Sequence, residues 1–290
     1  MLALTCGKPF SWSQFISSIN PLDHVFTGLY DPGSGGLKTV GQIYQSGDLD
    51  GAQLHYLLPS EDQNTQDMVI LLEGLIHKAG HWGAKYVIAD LSIDSPLFGA
   101  FRQTGFSALA KQRVFRCETA WEPPKGTINK WRIWTSKDVR AMRSLYATLV
   151  PPVIQTVEPL TKRKMLGLVY YDQDGDLKAY ADLVYGPIGA WVLPFVHPQT
   201  KEHPLDLLGQ LIHDLPDLNS RTVYLITRSY QPWLENALAT SSASPGPEQA
   251  LMIRYLALRQ RVRTEFSFGT VESGNPEPTV PLAPIKNNQQ

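Results

Sequence analysis

The side chains of this sequence best suited to proton transfer near neutral pH are its seven histidines, and its two cysteines are its strongest potential nucleophiles. His197 follows the apolar run Ile188 to Val196, where an imidazole at a strand end could act as a general base or be a plain loop residue. Tyr230 lies beyond the run Arg221 to Thr227, and its phenol could donate a proton if the loop folds back; packing is its other role. His77 and His213 each follow the isoleucine that closes an apolar stripe and read as helix-boundary residues. Cys6 and Cys117 have no Cys or His partner at ligand spacing, so neither a disulfide framework nor a metal site is expected. Asp172, Asp174 and Asp176 alternate around Gly175, but no glutamate stands at the twelfth position of a calcium loop, so the segment predicts a hairpin turn. Gly33-Ser34-Gly35-Gly36 is not directly followed by a Lys-Ser/Thr pair, since Leu37 separates Gly36 from Lys38-Thr39, and no helix is expected to begin there, so it reads as a turn, not a phosphate loop.

The elements that must position such groups are written twice. Leu71 to His77 and Leu207 to His213 both read LLxxLIH, 136 residues apart, and the same offset carries Val87 onto Val223 and Pro96 onto Pro232. Gly51-Ala52 and Gly189-Ala190 open two further apolar runs at an offset of 138. In the first copy we expect a strand near Leu2 to Thr5 and a helix within Ser11 to Ile19. Three strands follow, at His24 to Tyr30, Lys38 to Gln45 and Gln53 to Leu58. Asp67 to Lys78 carries an amphipathic stripe with Asp67 as cap. A strand Lys85 to Leu91, a short helix Pro96 to Arg102 and a strand Lys111 to Cys117 close the copy.

The second copy begins with a strand Lys130 to Thr135 and a helix Lys137 to Leu149, capped by Ser136 and stopped by Pro151-Pro152. Strands Met165 to Tyr171, Leu177 to Tyr185 and Ile188 to Val196 follow. A helix Pro204 to Leu215, a strand Arg221 to Thr227, a helix Pro232 to Ala239 and a strand Glu248 to Leu258 complete it. The boundaries expected are 1–121 and 128–263, a linker at 122–127 and a disordered, proline-rich tail at 264–290.

Composition narrows the partners. Twenty-six Lys and Arg balance 27 Asp and Glu, so a nucleic-acid surface is not expected. Arg254, Arg259, Arg261 and Arg263 read instead as charges guarding a solvated edge strand. No apolar run of about 18 residues occurs, so no membrane span is expected, and two scattered cysteines suit a reducing cytoplasm. The state expected is a monomer or homodimer.

One stretch carries a family resemblance. Gly83-Ala84-Lys85 precedes a strand, a short helix follows, and Phe101-x-x-x-Gly105-Phe106 leads into the last strand. This resembles the second half of a GNAT-superfamily acetyltransferase domain, in which the last pattern is usually Tyr-x-x-x-Gly-Phe. The resemblance runs over Asp67 to Cys117 and reaches the second copy through the repeat. It implies an α/β chain (an α+β mixed sheet) of two tandem GNAT-like acyl-CoA N-acyltransferase folds, packed into one body. It also implies acetyl-CoA or another acyl-CoA in the V between two central strands, with its pyrophosphate on backbone N–H groups.

In such a site Val196, His197, Gln199, Lys201 and His203 are the candidate cofactor-binding residues and His197 and Tyr230 the catalytic ones. Lys201 and a protonated His203 would meet phosphate, and a small-molecule amine would accept the acyl group. The motifs are degenerate. Family members cradle the pyrophosphate with a Gln/Arg-x-x-Gly-x-Gly/Ala loop, but neither Pro59 to Asp67 nor His197 to Pro204 contains a glycine, and the first holds Glu61, Asp62 and Asp67. Phe101 stands where the family's proton-donating Tyr would be, and Ala237 stands there in the second copy. Two readings result: an acyltransferase with weak or lost activity, or a non-catalytic module that binds a small molecule or a protein partner.

Overall fold

The computed structural model describes residues 24–33, 38–47, 49–58, 65–117, 131–160, 166–216, 218 and 221–256. The strand expected near Leu2, the helix at 11–19, the linker at 122–127 and the tail from 264 lie outside those residues.

The first copy opens with an antiparallel meander of β1 (His24–Tyr30), β2 (Thr39–Gln45) and β3 (Gly51–Leu58). Helix α1 (Thr65–His81) then crosses over so that β4 (Tyr86–Ser92) returns parallel to β3, and α2 (Phe98–Gln103) leads to β5 (Ser107–Cys117). The second copy starts with β6 (Trp131–Ile133), α3 (Val139–Leu149) and α4 (Pro152–Val157), then repeats the plan. Its meander is β7 (Leu166–Tyr171), β8 (Leu177–Tyr185) and β9 (Gly189–Val196), followed by α5 (Pro204–His213), β10 (Thr222–Arg228), α6 (Pro232–Ala239) and β11 (Ser244–Tyr255).

The repeat holds at the level of register. Gly51, Ala52 and Gln53 pair with Tyr86, Val87 and Ile88, and their counterparts Gly189, Ala190 and Trp191 pair with Thr222, Val223 and Tyr224. Because strand side chains alternate between faces, identical registers put identical positions on the core side. The LLxxLIH segments supply the covering stripes. Leu71, Leu72, Leu75 and Ile76 of α1, and Leu207, Leu208, Leu211 and Ile212 of α5, are all buried. Each such side chain contributes roughly 1.5 to 3 kcal/mol by leaving water.

All eleven strands form one sheet in the order β1-β2-β3-β4-β11-β5-β10-β9-β8-β7-β6. Neither copy closes on itself: β4 pairs with β11, β10 pairs with β5, and β5 and β11 pair with each other. The final strand therefore lies in the middle of the sheet, not at a charged edge. Arg254 is correspondingly not a solvated guard: its Nη1 donates to the Thr104 carbonyl at 2.6 Å.

Three local expectations change. Pro152 does not simply stop a helix but opens α4, where its missing N–H and fixed φ suit the first turn. Ser136 is not the cap of α3. Asp138 precedes that helix, and its carboxylate accepts from the Thr135 N–H at 2.7 Å and from both terminal nitrogens of Arg132. Helix α1 starts two residues before Asp67, which sits in its first turn.

The paired registers place α1, α2, α5 and α6 on one face of the sheet. Alternate residues of the same strands, Ile226, Leu251 and Tyr180 among them, face α3 and α4 on the other. The fold is thus a mixed α+β sheet built from two equivalent copies, each with the order meander, helix, parallel strand, short helix and closing strand that the family resemblance implies.

Candidate functional site

Strands β9 and β10 are paired only from Gly189/Thr222 to Val192/Leu225, while β9 continues along β8 as far as Val196. Beyond Val192 the β10 side of β9 has no strand partner, and this is the V in which the family resemblance locates a ligand. The turn after β10 fills it. The Gln231 N–H donates to the Arg228 carbonyl at 2.8 Å, and this folds the Gln231 side chain back against β9. Its Oε1 accepts from the Val196 N–H at 2.9 Å and its Nε2 donates to the Pro194 carbonyl at 2.9 Å. Gln231 is 0% exposed. The carboxamide thus replaces the ladder bonds that the parting strands give up.

The residues singled out on the following loop are engaged locally. The His197 N–H donates to the Lys178 carbonyl, and its ring Nδ1 accepts from the Gln199 N–H at 3.1 Å. Neutral His197 therefore carries its proton on Nε2, with its lone pair already used. His203 caps α5: its Nδ1 accepts from the Leu205 N–H at 3.3 Å. Lys201 pairs with Asp174 of the β7–β8 hairpin at 2.9 Å. That hairpin is the turn expected, closed by the Gly175 N–H donating to the Asp172 carbonyl, with φ +82° at Gly175. No metal-ligating group of three or more residues occurs among the described residues. Cys117 is buried, and burial pushes its thiol up to about 12, far from a reactive thiolate.

Tyr230 is placed differently from the loop residues. It lies under α3 and α4 in a polar cluster that neither motif nor spacing flagged. Arg228, the last residue of β10, is 4% exposed and its Nη2 donates to Glu158 at 2.8 Å. Glu158 follows α4 and is held from both sides. The Tyr146 hydroxyl donates to its carbonyl, and the Tyr86 hydroxyl of the first copy donates to the Val157 carbonyl at 3.1 Å. Gly51 permits this, since a Cβ there would lie 1.9 Å from the Tyr86 ring.

Asp182 of β8 shares the face of Tyr180, two residues before it. Its carboxyl is pushed up to about 7, first by burial and then by the charge of Glu158. Burial also raises Glu158, against the opposing pull of Arg228, and holds the phenols of Tyr146, Tyr180 and Tyr230 far above their usual range. Asp182 is therefore poised between its two protonation states at neutral pH. That property serves proton exchange or recognition of a cation.

The first copy offers a lesser feature. A bulge in β3 at His55 sets Tyr56 opposite Gln42 and Leu54 opposite Ile43. His55 stacks on Tyr44 with centroids 5.2 Å apart, and burial pushes its pKa down to about 4, so the ring is neutral.

An acyl-CoA can be tested against these residues. A pyrophosphate needs free N–H groups approached through small residues. At the start of α5 Pro204 has no N–H, the Leu205 N–H is taken by His203, and Asp206 adds a negative charge to the first turn. The pantetheine path meets Gln231, which holds the β9 backbone groups that a ligand amide would need. Phe101, in the place of the expected Tyr, is 1% exposed and packs edge-on against Phe106 at 4.9 Å. The second copy therefore does not fit the cofactor, and the corresponding loop of the first copy, at 59–64, lies outside the described residues.

No family model matches the chain, and no curated protein matches it. Among solved structures it is similar to a conserved protein of unknown function from Staphylococcus epidermidis. The TM-score is 0.54 at 10% identity, over 75% of this chain and 91% of that one. It is also similar to a tandem GNAT protein from the clavulanic acid biosynthesis pathway (TM-score 0.48, 14% identity, 81% and 84% covered). A third similar structure is a GCN5-related N-acetyltransferase from Kribbella flavida (0.49, 12%, 76% and 87%). At these identities the likeness is one of fold. No helix among the described residues is long and apolar enough to cross a membrane.

Proposed function

We propose that the chain is a small-molecule binding module on a tandem acyltransferase-type fold, and that its second copy has given up acyl transfer. The observation that carries this reading is the buried Gln231 carboxamide, bonded to both Val196 and Pro194 where an acyl donor would lie between β9 and β10. A bound thioester would have to displace two buried hydrogen bonds, each costing roughly 1 to 3 kcal/mol if left unmade. The polar cluster of Arg228, Glu158 and Asp182 supports a binding surface on the opposite side of β10 from α5 and α6, independent of that opening.

The test is calorimetric titration of acetyl-CoA and of free CoA, together with thiol release from acetyl-CoA in the presence of a panel of primary amines. The reading expects no heat at millimolar ligand and no thiol release above the uncatalysed rate. Saturable micromolar binding with turnover would replace it with the reading as an active N-acyltransferase. In that case Asp182, poised near neutrality, would be the first base to examine.

A further inference from the structure

We propose that the cluster under α3 and α4 binds a zwitterionic small molecule of the α-amino acid type, with its carboxylate on Arg228 and its ammonium on Asp182. This rests on the binding-module reading and assigns its ligand. The starting point is a mismatch of donors and acceptors. Arg228 is 4% exposed, yet of its three guanidinium nitrogens only Nη2 is bonded, while Nε and Nη1 are buried without a partner. The Tyr180 hydroxyl is buried on the same face and also lacks a partner. Orphaned buried donors are rare in folded proteins because each forfeits its hydration for nothing. Across from them the carboxylate of Asp182 receives no hydrogen bond from any described residue. The same face thus holds donors that want an anion and an acceptor that wants a cation.

The charges exclude simpler ligands. One guanidinium is faced by Glu158, and beyond it by Asp90 of β4, so a bare anion would meet more like charge than unlike. A bare amine would satisfy Asp182 and leave Arg228 Nε and Nη1 as they are. A ligand bearing both charges satisfies both ends. The two groups flank β9: Asp182 on β8 stands opposite Leu193, while Arg228 lies about two residues further along, past the last pair of β10 with β9, so their backbones are at least about 12 Å apart, and the long arginine side chain takes up part of that gap. Tyr146, Tyr180 and Tyr230 form the remaining polar wall, with the phenylalanine side of β9 beneath: Phe195 stacks on Tyr180 at 4.6 Å.

The groups facing Asp182 are Glu158 from the end of α4, Tyr146 from α3, Tyr180 from its own strand and Tyr230 from the loop after β10. Among them Glu158 is the other carboxyl group, and it is paired with Arg228. A bound ammonium favours ionised Asp182, so affinity should rise as the pH goes from 5 to 8.

The experiment is calorimetric and thermal-shift titration of the full chain with each of the twenty free L-amino acids. The tightest binder is then compared with its methyl ester and its N-acetyl derivative. Expected are one site per chain, at least tenfold weaker binding of each derivative, and at least tenfold weaker binding of the free amino acid by Asp182→Asn. Because Arg228→Met removes a buried charge and could alter folding, the Asp182 variant and the two derivatives carry the test independently. If none of the twenty binds, or if ester and acid bind alike, the proposal is overturned. The same samples titrated with acetyl-CoA separate the two claims. Amino acid binding alongside acetyl-CoA binding would keep the ligand class and remove the non-catalytic reading, whereas neither binding would remove the ligand class alone.

Discussion

Replacing Asp182 by Asn should make the protein more stable, and increasingly so as the pH rises. The carboxyl has an ordinary value of 3.8 in the unfolded chain and about 7 in the fold. Between those values the folded chain keeps a proton that the unfolded chain has released, so stability falls as the pH climbs through the window and levels off above it. At 1.36 kcal/mol per pH unit, integration from pH 5 to pH 8 gives a loss of about 2.5 kcal/mol. Asparagine matches the side chain in size and has no proton to lose. The margin of Asp182→Asn over the parent should therefore widen by about 2.5 kcal/mol between pH 5 and pH 8, or roughly 5 to 10 °C in melting temperature for a chain of this length. Urea denaturation of both proteins at the two pH values measures it. All other titrating groups cancel in the difference except Glu158, which loses a neighbouring charge in the variant and so shifts the margin in the same direction. A margin that stays constant with pH, or shrinks, would refute the assignment of Asp182 as a half-buried carboxyl of raised pKa.

Other perturbations probe the parts that hold the cluster. Tyr86→Phe, which removes the hydroxyl bonded to the Val157 carbonyl, should cost about 1 kcal/mol by chemical denaturation. Gly51→Ala should cost more than that, because its Cβ would strike the Tyr86 ring, and the two substitutions combined should cost less than their sum. Phe101→Ala should cost about 3 to 5 kcal/mol in the same assay, as expected of a fully buried aromatic and not of a site residue. A chain ending before Ser244 loses the strand that lies between β4 and β5, so it should show no cooperative thermal transition. Lys201→Glu, at an exposed pair with Asp174, should leave the urea midpoint essentially unchanged, because solvent screens that pair.

Much of the architecture was legible because it depends on periodicity. The LLxxLIH stripes, the β-branched runs and the Gly-Ala openings dictate which faces are buried, and the gapless offset from α1 to the second parallel strand transmitted the same register to both copies. The position of β11 was not legible. Its arginines fit an edge strand as well as a central one, and only long-range pairing with β4 and β5 decides between them. Helix α4 was masked by two consecutive prolines, which read as a stop until the second is seen to be a helix start.

The polar cluster escaped for a related reason. Asp182, Glu158 and Arg228 come from a strand, a helix end and another strand, with no shared spacing in sequence. The one hint was an aspartate amid the apolar residues of β8, between Ala181 and Leu183. Gln231 gave no signal either, because a glutamine before a proline is ordinary surface composition; only its two bonds to β9 make it a plug.

The central claim is that the opening of the second copy is closed by its own side chain, and the Val196 amide reports on it directly. Hydrogen exchange of that amide should be slow in the parent protein, faster by at least tenfold in Gln231→Ala, and unchanged in rate and chemical shift when acetyl-CoA is added to the parent. Fast exchange in the parent, or a Val196 amide that shifts saturably with acetyl-CoA, would contradict the account.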